Sequence, residues 1–360
     1  MSDECYPDFL PAPEVLRRDL LAWYDRQGRA LPWRIRPEDA ARGAVADPYA
    51  IWLSEIMLQQ TTVPHATPYW LSFLKRWPRV QDLAAAPRED VLSAWAGLGY
   101  YARARNLHAC AIEVSETLDG VFPSTLKALQ ALPGIGEYTA NAIRAAAFDA
   151  PASVVDGNVE RVITRMVRLE TPLPAAKPTI RRLAGSIADP QRSRDYAQAI
   201  MDLGATVCTP KSPTCGGCPW SSGCQARKAG DMTAYPRKTA KKAKPVRRGT
   251  AWMVSRDSGG QTQLWLKTRP DRGLLGGMRE IPSTGWSDAG ADTPQPFDTD
   301  WEPRGEIRHV FTHFELRLDV VRAPAPPGWE PESGEWVGED DLRVEDLPSV
   351  MRKIVRQTRS

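Results

Sequence analysis

Apolar residues recur at helical spacing along the chain from about Glu14 to Leu203. Within the segment Tyr49–Val63, one face carries a set of large apolar side chains: Tyr49, Trp52, Leu53, Ile56 and Met57. A polar stripe runs beside this face at i, i+4 and i+7 spacing, formed by Glu55, Gln59 and Thr62. The pattern predicts one continuous helix over this segment, inside an all-α domain.

The same periodicity predicts further helices between this segment and Leu203. They cover Arg88–Trp95, Arg103–Thr117, Ser124–Ala131, Tyr138–Ala147, Val159–Arg168, Ile180–Ile187 and Tyr196–Leu203. Ser124 is the predicted N-cap of its helix. Pro133–Gly136 and Asp156–Asn158 interrupt the pattern and predict turns.

After Lys228 the pattern changes to short β-rich runs separated by loops that contain Gly and Pro. Strands are predicted at Ala251–Val254, Gln263–Leu266, Val310–Phe314 and Leu316–Val321. We therefore expect a multidomain chain, with an all-α domain over residues 1–226, a basic linker over 227–246 and a smaller α+β domain over 247–360.

The overall composition says little about binding partners, whereas the distribution of charge along the chain points to a basic segment. The chain of 360 residues carries a net charge of +3 at pH 7, and its length suits two domains. Basic residues crowd into the stretch from Arg227 to Arg248, in which Asp231 is the single acid. Such a run is typical of a solvated linker, and it would also suit contact with a phosphate backbone.

The sequence contains no evident targeting or membrane segment. Residues Met1–Asp8 carry acids and lack the apolar core of a signal peptide. No apolar run approaches the roughly 20 residues that cross a bilayer. We therefore expect a protein of the cytoplasm, or of the nucleoid within it, that has no membrane partner.

The turn Leu132–Gly136 lies between two predicted amphipathic helices and contains Gly134 and Gly136. Two glycines around a small apolar residue leave bare amides, which together with a helix N-terminus form a cradle for phosphate. The same glycines could serve only the backbone geometry of a helical corner. The turn by itself leaves both interpretations open.

Longer motifs identify a family that the chain resembles. Leu132–Ala140 (LPGIGEYTA) resembles the helix–hairpin–helix of a DNA glycosylase superfamily, and Asp156 matches the aspartate that follows it there. Trp52–Thr61 (WLSEIMLQQT) and Gly97–Leu107 (GLGYYARARNL) are similar to the adenine DNA glycosylase branch, called MutY. The resemblance covers most of the chain. It implies a monomer that flips adenine out of a mispair with 8-oxoguanine or guanine in double-stranded DNA, hydrolyses its N-glycosidic bond and leaves an abasic site.

Two carboxylates match the chemistry that this resemblance implies. Breaking a base–sugar bond requires a protonated acid near the base and an ionised carboxylate near the sugar. Glu55, on a largely apolar helix, is the candidate acid, since burial would raise its pKa. The resemblance implies that it protonates adenine at N7. Asp156 is the candidate stabiliser of the oxocarbenium-like sugar, electrostatically or through a covalent intermediate. A solvated glutamate and a simple helix N-cap are the alternatives.

Tyr138 distinguishes two branches of the superfamily. Related enzymes that also nick the strand carry a lysine at this position, where it forms a Schiff base with the sugar, and a phenol cannot. The resemblance places Tyr138 and Asn158 beside Asp156. It also implies a set of residues that wedge into DNA or contact the hairpin phosphate: Gln60, Leu98, Tyr100, Gly134 and Gly136. A further set would line the adenine pocket: Trp33, Arg34 and Gln198.

Four cysteines have the spacing C-x6-C-x2-C-x5-C: Cys208, Cys215, Cys218 and Cys224. Four thiolates suit tetrahedral zinc or a [4Fe–4S] cluster, whereas a disulfide suits a reducing compartment least. The spacing is similar to that of the iron–sulfur loop of the superfamily, so we expect a [4Fe–4S] cluster in residues 208–224. Its expected role is to fix the loop that carries Lys211 against DNA, not to hydrolyse the substrate.

The carboxy-terminal part resembles the MutT-like (Nudix) domain of MutY proteins, through the glycine-rich segment Gly273–Met278. The acidic REXXEE helix of active Nudix pyrophosphatases is absent after Arg279-Glu280, so we expect recognition and no pyrophosphate hydrolysis. One short segment resembles the part that recognises 8-oxoguanine: Phe311, Thr312 and His313. Serine is commoner where Thr312 stands. An ordinary edge strand is the alternative interpretation of this segment.

Two other functions compete with adenine removal. An endonuclease-III-like lyase that acts on oxidised pyrimidines is disfavoured by Tyr138 and by the carboxy-terminal domain. A non-catalytic module that binds damaged DNA is disfavoured by the joint presence of Glu55 and Asp156.

Overall fold

The computed structural model describes residues 6–239, 243–270, 273–284, 286, 294–344 and 347–359. The chain divides into two compact units, Met1–Ala94 with Arg103–Ala240 and Trp95–Ala102 with Lys241–Ser360. None of the helices in the described ranges is long and apolar enough to cross a membrane. The predicted fold class, an all-α part followed by a smaller α+β part, is confirmed.

The first unit consists of helices joined by short turns. In chain order these are α1 (Pro13–Gln27), α2 (Pro37–Ala41), α3 (Pro48–Met57), α4 (Val63–Arg76), α5 (Val80–Ala84), α6 (Arg88–Ala94), α7 (Ala102–Thr117), α8 (Leu126–Ala131), α9 (Glu137–Phe148), α10 (Gly157–Val167), α11 (Lys177–Ile187), α12 (Ser193–Asp202) and α13 (Gln225–Ala229). One turn of π-helix, Leu203–Val207, continues α12.

A core between the first helix and the last long helices holds this unit together. The apolar faces of α1, α10, α11 and α12 meet there, and residues such as Leu20, Ile163 and Ile180 are fully buried. Trp220 of the cysteine loop belongs to the same core and donates its Nε1 hydrogen to the carbonyl of Leu16 at 2.9 Å. The cysteine loop is therefore anchored to the first helix.

The single helix predicted over Tyr49–Val63 is wrong. Helix α3 ends at Met57, and α4 begins at Val63. Gln60 between them has a φ of 60°, which no right-handed helix contains, and Pro64 lacks the N–H that a continuous helix would need. Consequently Gln59 and Thr62 lie on a connection and do not extend the helical face of Glu55.

The second unit is a mixed sheet covered by a helix. Its elements are β1 (Val246–Ser258), β2 (Gln261–Thr268), β3 (Arg279–Glu280), β4 (Glu302–Val310), β5 (Glu315–Pro324), β6 (Glu335–Gly338) and α14 (Ser349–Arg359). The strand order is β3-β2-β1-β5-β4, with β6 paired to β2, and the β1–β5 pair is parallel. Buried residues of α14, among them Val350 and Ile354, cover one face, and a tryptophan-rich cluster covers the other.

The strand predicted over Val310–Phe314 is also wrong. Val310 ends β4 and pairs with Glu315, the first residue of β5, so residues 311–314 form the connecting turn. The turn is closed by the Phe311 amide, which donates to the carbonyl of Phe314 at 2.8 Å. Phe311 and Phe314 gave this segment the composition that is typical of a strand. In the structure their rings pack against each other within the turn.

Candidate active site

A cavity of about 590 Å³ opens in the first unit, within the size range of small-molecule sites. Its walls come from α3, α9, α12, the start of α10 and the segment that precedes α2. It brings together eight of the residues singled out in the sequence: Trp33, Arg34, Glu55, Gln60, Tyr138, Asp156, Asn158 and Gln198. These residues are far apart along the chain, so the fold has assembled them into one site.

Glu55 stands on a helix that is otherwise almost entirely buried. Helix α3 begins with Pro48, and its N-cap Asp47 accepts a hydrogen bond from the Tyr49 amide at 2.9 Å. At its other end, Arg103 donates to the carbonyl of Ile56 at 2.9 Å, which satisfies a free terminal carbonyl. The helix is thus fixed at both ends, and it holds the half-buried Glu55 in the cavity wall.

The surroundings of Glu55 favour its protonated form. Burial, reinforced by the negative charge of Asp156, raises the pKa of Glu55 to about 7. The positive charge of Arg34 and a hydrogen bond from the Tyr138 hydroxyl act in the opposite direction. Near neutral pH the carboxyl group is therefore divided between its two forms and can give a proton to a bound base.

Asp156 is held in place by the helix that it caps. One carboxylate oxygen accepts hydrogen bonds from the amides of Asn158 and Val159 at 2.9 and 2.8 Å. The other accepts from the Asn158 side-chain amide at 2.8 Å. The positive end of the α10 dipole also stabilises negative charge at this position. The N-cap role expected as an alternative is thus present together with a place in the cavity wall.

Tyr138 lies in the first turn of α9, where its phenol is influenced by the negative charges of both carboxylates, Glu55 and Asp156. Burial and the nearby negative charges of Glu55 and Asp156 raise the pKa of Tyr138 well above its ordinary value. The phenol therefore stays protonated and donates its hydroxyl hydrogen, either to Glu55 or to the sulfur of Met201, which lies 3.6 Å away. It acts as a neutral donor beside the acid.

A buried arginine that the sequence analysis missed links Asp156 to the cysteine loop. The Arg161 guanidinium donates to Asn158 Oδ1 at 2.8 Å and to the carbonyl of Cys208 at 2.7 Å. It also donates to the carbonyl of Gly204 at 2.6 Å. Gly204 packs closely against Asn158, because a β-carbon added to Gly204 would lie only 2.6 Å from the β-carbon of Asn158. The available signal was an arginine three residues after Asn158 on an otherwise apolar helical face.

Behind the wall formed by Arg34 lies a second residue that the sequence analysis missed, Asp202. This carboxylate is fully buried and forms a two-point ion pair with Arg34, with distances of 2.8 and 2.9 Å. Arg29 donates to the same carboxylate from its backbone amide and its side chain. Gln198, one turn before Asp202 on α12, accepts a hydrogen bond from the Tyr24 hydroxyl at 2.5 Å. The polar wall is therefore held by partners outside the cavity.

The aromatic wall of the cavity is formed by Trp33. Its ring lies edge-on to the ring of Trp70, with centroids 5.6 Å apart. Trp70 is in turn anchored by its Nε1, which donates to the carbonyl of Ala50 at 2.8 Å. A flat ring fixed in this way offers a stacking surface to a planar ligand.

The hairpin between α8 and α9 has one glycine fixed by packing and one facing open space. Gly134 has a φ of 75°, and a β-carbon there would lie 2.7 Å from that of Asn106. Gly136 is the N-cap of α9, and a β-carbon there would meet nothing within 4 Å. The α9 N-terminus thus presents free amides on an open side, which suits a phosphate.

The three candidate wedge residues belong to different units, Gln60 to the first and Leu98 and Tyr100 to the second. Gln60 is exposed and lies at the cavity wall in its left-handed conformation. Tyr100, 58% exposed, also has a positive φ, of 49°, whereas Leu98 is buried.

The four cysteines line one small cavity of their own, together with Arg165. Arg165 is almost fully buried and places a guanidinium N–H 3.3 Å from the sulfur of Cys208, where its charge offsets that of thiolates. Across the described ranges, no three His, Cys, Asp or Glu side chains are arranged to hold a metal ion. Four thiols around a shared space nevertheless match the donor set of a four-iron cluster.

The segment Phe311–His313 lies at the tip of the β4–β5 turn in the second unit. Thr312 and His313 are exposed there, and the Phe311 ring packs against Phe314. Lys244 donates to the carbonyl of Phe311 at 2.6 Å, which fixes the turn from outside. Two polar side chains are thus presented on a rigid support.

Comparison with known families accounts for both units. Residues 53–187 match the HhH-GPD superfamily of base excision DNA repair proteins, and residues 251–357 match the NUDIX domain. Adenine DNA glycosylase of Homo sapiens is 34% identical over 95% of this chain and 73% of its own length. The Mycobacterium tuberculosis enzyme of the same name is 37% identical over 68% of this chain and 78% of its own length.

Solved structures share the fold of the first unit. A thermostable thymine-DNA glycosylase superposes with a TM-score of 0.54 at 28% identity, over 60% of this chain and 97% of its own. Endonuclease III, trapped covalently on DNA, superposes with a TM-score of 0.50 at 20% identity, over 61% of this chain and 99% of its own. At that identity the second likeness concerns the fold alone.

Proposed function

The chain belongs to the adenine DNA glycosylases, base excision repair enzymes that hydrolyse N-glycosyl bonds, and on this premise we propose that it removes adenine mispaired with 8-oxoguanine or guanine and leaves an abasic site. The observation that carries the proposal is the pair of carboxylates in one cavity, in different environments. Glu55 has a pKa of about 7, while Asp156 is held by three hydrogen-bond donors.

These two environments supply the acid and the anion that the reaction needs. Glu55 gives its proton to the adenine as the bond to the sugar breaks, because a neutral base is the better leaving group. Asp156, facing the same cavity, stabilises the positive charge that develops on the sugar. Water then adds to the sugar carbon and releases a proton, which returns Glu55 to its acid form, and neutral adenine leaves. The edge-anchored ring of Trp33 and the held amide of Gln198 support the flipped adenine.

Tyr138 limits the reaction to base removal. A Schiff-base lyase needs an amine at the sugar, and this position holds a phenol that burial keeps protonated. The experiment that tests the proposal is a single-turnover reaction on a duplex with adenine opposite 8-oxoguanine, analysed with and without hot alkali. We expect strand breaks only after alkali, since an abasic site is alkali-labile.

Two other outcomes would assign a different function. Breaks without alkali would mean a lyase activity that the Tyr138 site does not explain. Tight binding to the duplex without breaks under either condition would identify a damage-binding module. A duplex with cytosine in place of the target adenine is the substrate control, and it should stay intact under both conditions.

We also propose that the thiols of Cys208, Cys215, Cys218 and Cys224 hold a [4Fe–4S] cluster. The buried charge of Arg165, 3.3 Å from the Cys208 sulfur, supports this because a cluster ligated by four thiolates is an anion. The cluster would hold the loop in a fixed shape. The residues of the chain that perform the hydrolysis lie in the other cavity.

Recognition of 8-oxoguanine is assigned to the β4–β5 turn. The Thr312 hydroxyl is exposed at its tip and can accept the N7 proton that distinguishes 8-oxoguanine from guanine. We expect that Thr312→Val and His313→Ala each reduce the preference for 8-oxoguanine over guanine by about tenfold, within the range of about 1–3 kcal/mol for a good base contact. Single-turnover rates and DNA affinities on the two mispairs measure this preference.

The matched control is Thr262→Val, which removes an exposed threonine hydroxyl from β2 of the same unit. It should leave the preference unchanged. Losses of equal size on the 8-oxoguanine and guanine mispairs in Thr312→Val would contradict the assignment, because they would indicate a general effect on binding or folding.

A further inference from the structure

Asp202 lies just behind the cavity wall and touches the site through two arginines that line the cavity, Arg34 and Arg29. Its side chain is fully buried, and four hydrogen bonds from Arg34 and Arg29 occupy both carboxylate oxygens. Burial would raise the pKa of Asp202, but these bonds and charges outweigh it and lower the pKa. Asp202 is therefore a permanent anion paired with two cations.

Arg34 is shared between this anion and the acid of the reaction. Its side chain is 6% exposed and lines the cavity, and its guanidinium forms the ion pair with Asp202. It also acts on Glu55 through its charge and not through a hydrogen bond, whereas Tyr138 donates a hydrogen bond to Glu55. A direct ion pair between Arg34 and Glu55 would fix the Glu55 carboxyl in its ionised form. Such a glutamate could not donate a proton.

We propose that Asp202 is a positioning residue that holds Arg34 in a two-point ion pair and so keeps it from pairing with Glu55. The inference rests on the proposed role of Glu55 as the acid. Charged and titratable groups that share the cavity with Glu55 are Arg29, Arg34, Asp156 and Tyr138. Arg34 is the cation among them whose charge acts on the pKa of Glu55, so it is the one that could convert Glu55 into a stable anion. Asp202 is the partner that competes for Arg34.

The test is the pH profile of single-turnover adenine excision by Asp202→Asn. Loss of the charge frees Arg34 to turn towards Glu55, so the alkaline fall in rate should move to lower pH by about one pH unit or more. The variant should approach the wild-type rate on its acidic plateau. Above neutral pH it should be slower by about tenfold for each pH unit by which the fall has moved. A purely structural defect would instead lower the rate by one factor at every pH.

Two variants serve as controls for this profile. Asp202→Glu keeps the negative charge, so its alkaline fall should stay near the wild-type position even if the rate is lower. Arg29→Gln removes the other cation but leaves the two-point pair of Arg34, so its alkaline fall should stay in place as well. Thermal unfolding followed by circular dichroism verifies that each variant is folded.

Each outcome decides between the inference and the function on which it rests. An inactive Glu55→Gln with an unmoved profile in Asp202→Asn would overturn the inference and leave the proposed function intact. An active Glu55→Gln would overturn both. If Asp202→Asn does not fold, Asp202→Ser takes its place, because it also removes the charge while its hydroxyl can still accept a hydrogen bond from Arg34. Its alkaline fall must then also move to lower pH, and an unmoved fall would overturn the inference.

Discussion

Replacement of Glu55 by glutamine is expected to slow adenine excision by about 10²–10⁴-fold, equivalent to about 3–5 kcal/mol of barrier. Glutamine has the shape of glutamate but no acidic proton, so the half-buried position on α3 can accept it without repacking. The duplex should still bind, because the contact surface is unchanged. Single-turnover kinetics and binding isotherms on the 8-oxoguanine mispair separate these two effects.

Glu116→Gln is the matched control for this variant. Glu116 is an exposed glutamate on α7, so its replacement should leave both the rate and the affinity unchanged. Excision by Glu55→Gln at more than about a tenth of the wild-type rate would contradict the role of acid, because general acid catalysis is worth at least about 10²-fold.

The rate should also depend on pH in a direction that the environment of Glu55 determines. The acid must carry its proton to act, and its pKa is raised to about 7. Activity is therefore full below this pH and falls as the pH rises through about 7. A glutamate with an ordinary pKa would give its fall near pH 4.5. If the excision rate did not fall as the pH rises through about 7, a group other than Glu55 would have to give the proton to adenine.

Asp156→Asn is expected to slow excision by about 10²–10³-fold, the size of effect seen when a preorganised charge contact is lost from a transition state. Asparagine caps helices as well as aspartate does, so the start of α10 should keep its structure. The amide cannot supply the negative charge that the sugar requires. Stability should therefore fall by no more than about 1 kcal/mol while the rate collapses, as thermal unfolding and single-turnover kinetics would show.

Asp47→Asn is the control that isolates capping from catalysis. Asp47 caps α3 through the Tyr49 amide as Asp156 caps α10, but it lies outside the cavity lining of the described chain. The Asp47→Asn substitution should leave the excision rate and the free energy of unfolding nearly unchanged. If both substitutions had the same slight effect on the rate, Asp156 would be only an N-cap.

Local patterns in the sequence predicted most of the helices because each amphipathic face is determined by nearby residues. Thus α9 and α10 begin within two residues of the predicted starts at Tyr138 and Val159. The failures have local causes too. An apolar pattern continues across Gln60, although the backbone there adopts a positive φ, and this error moved Gln59 and Thr62 onto the helix of Glu55.

Contacts between distant residues could not be predicted in this way. Arg34 and Asp202 are 168 positions apart, and Arg161 and Cys208 are 47 apart. Nothing in a single sequence states that one buried arginine faces a particular aspartate. The motif resemblance indicated Glu55, Asp156 and Tyr138 because those residues lie within short ordered segments. Residues that hold the site from behind lie in no such segment.

The first helix also has a consequence for synthesis of the chain. Tyr24 binds Gln198, and Leu16 accepts a hydrogen bond from Trp220, so α1 completes the site with residues that leave the ribosome much later. Helices α10 and α11 also pack against α1 and emerge earlier, but the core around α1 is complete only when α12 and Trp220 are present. The first helix can therefore reach its final packing only after the cysteine loop has emerged from the ribosome.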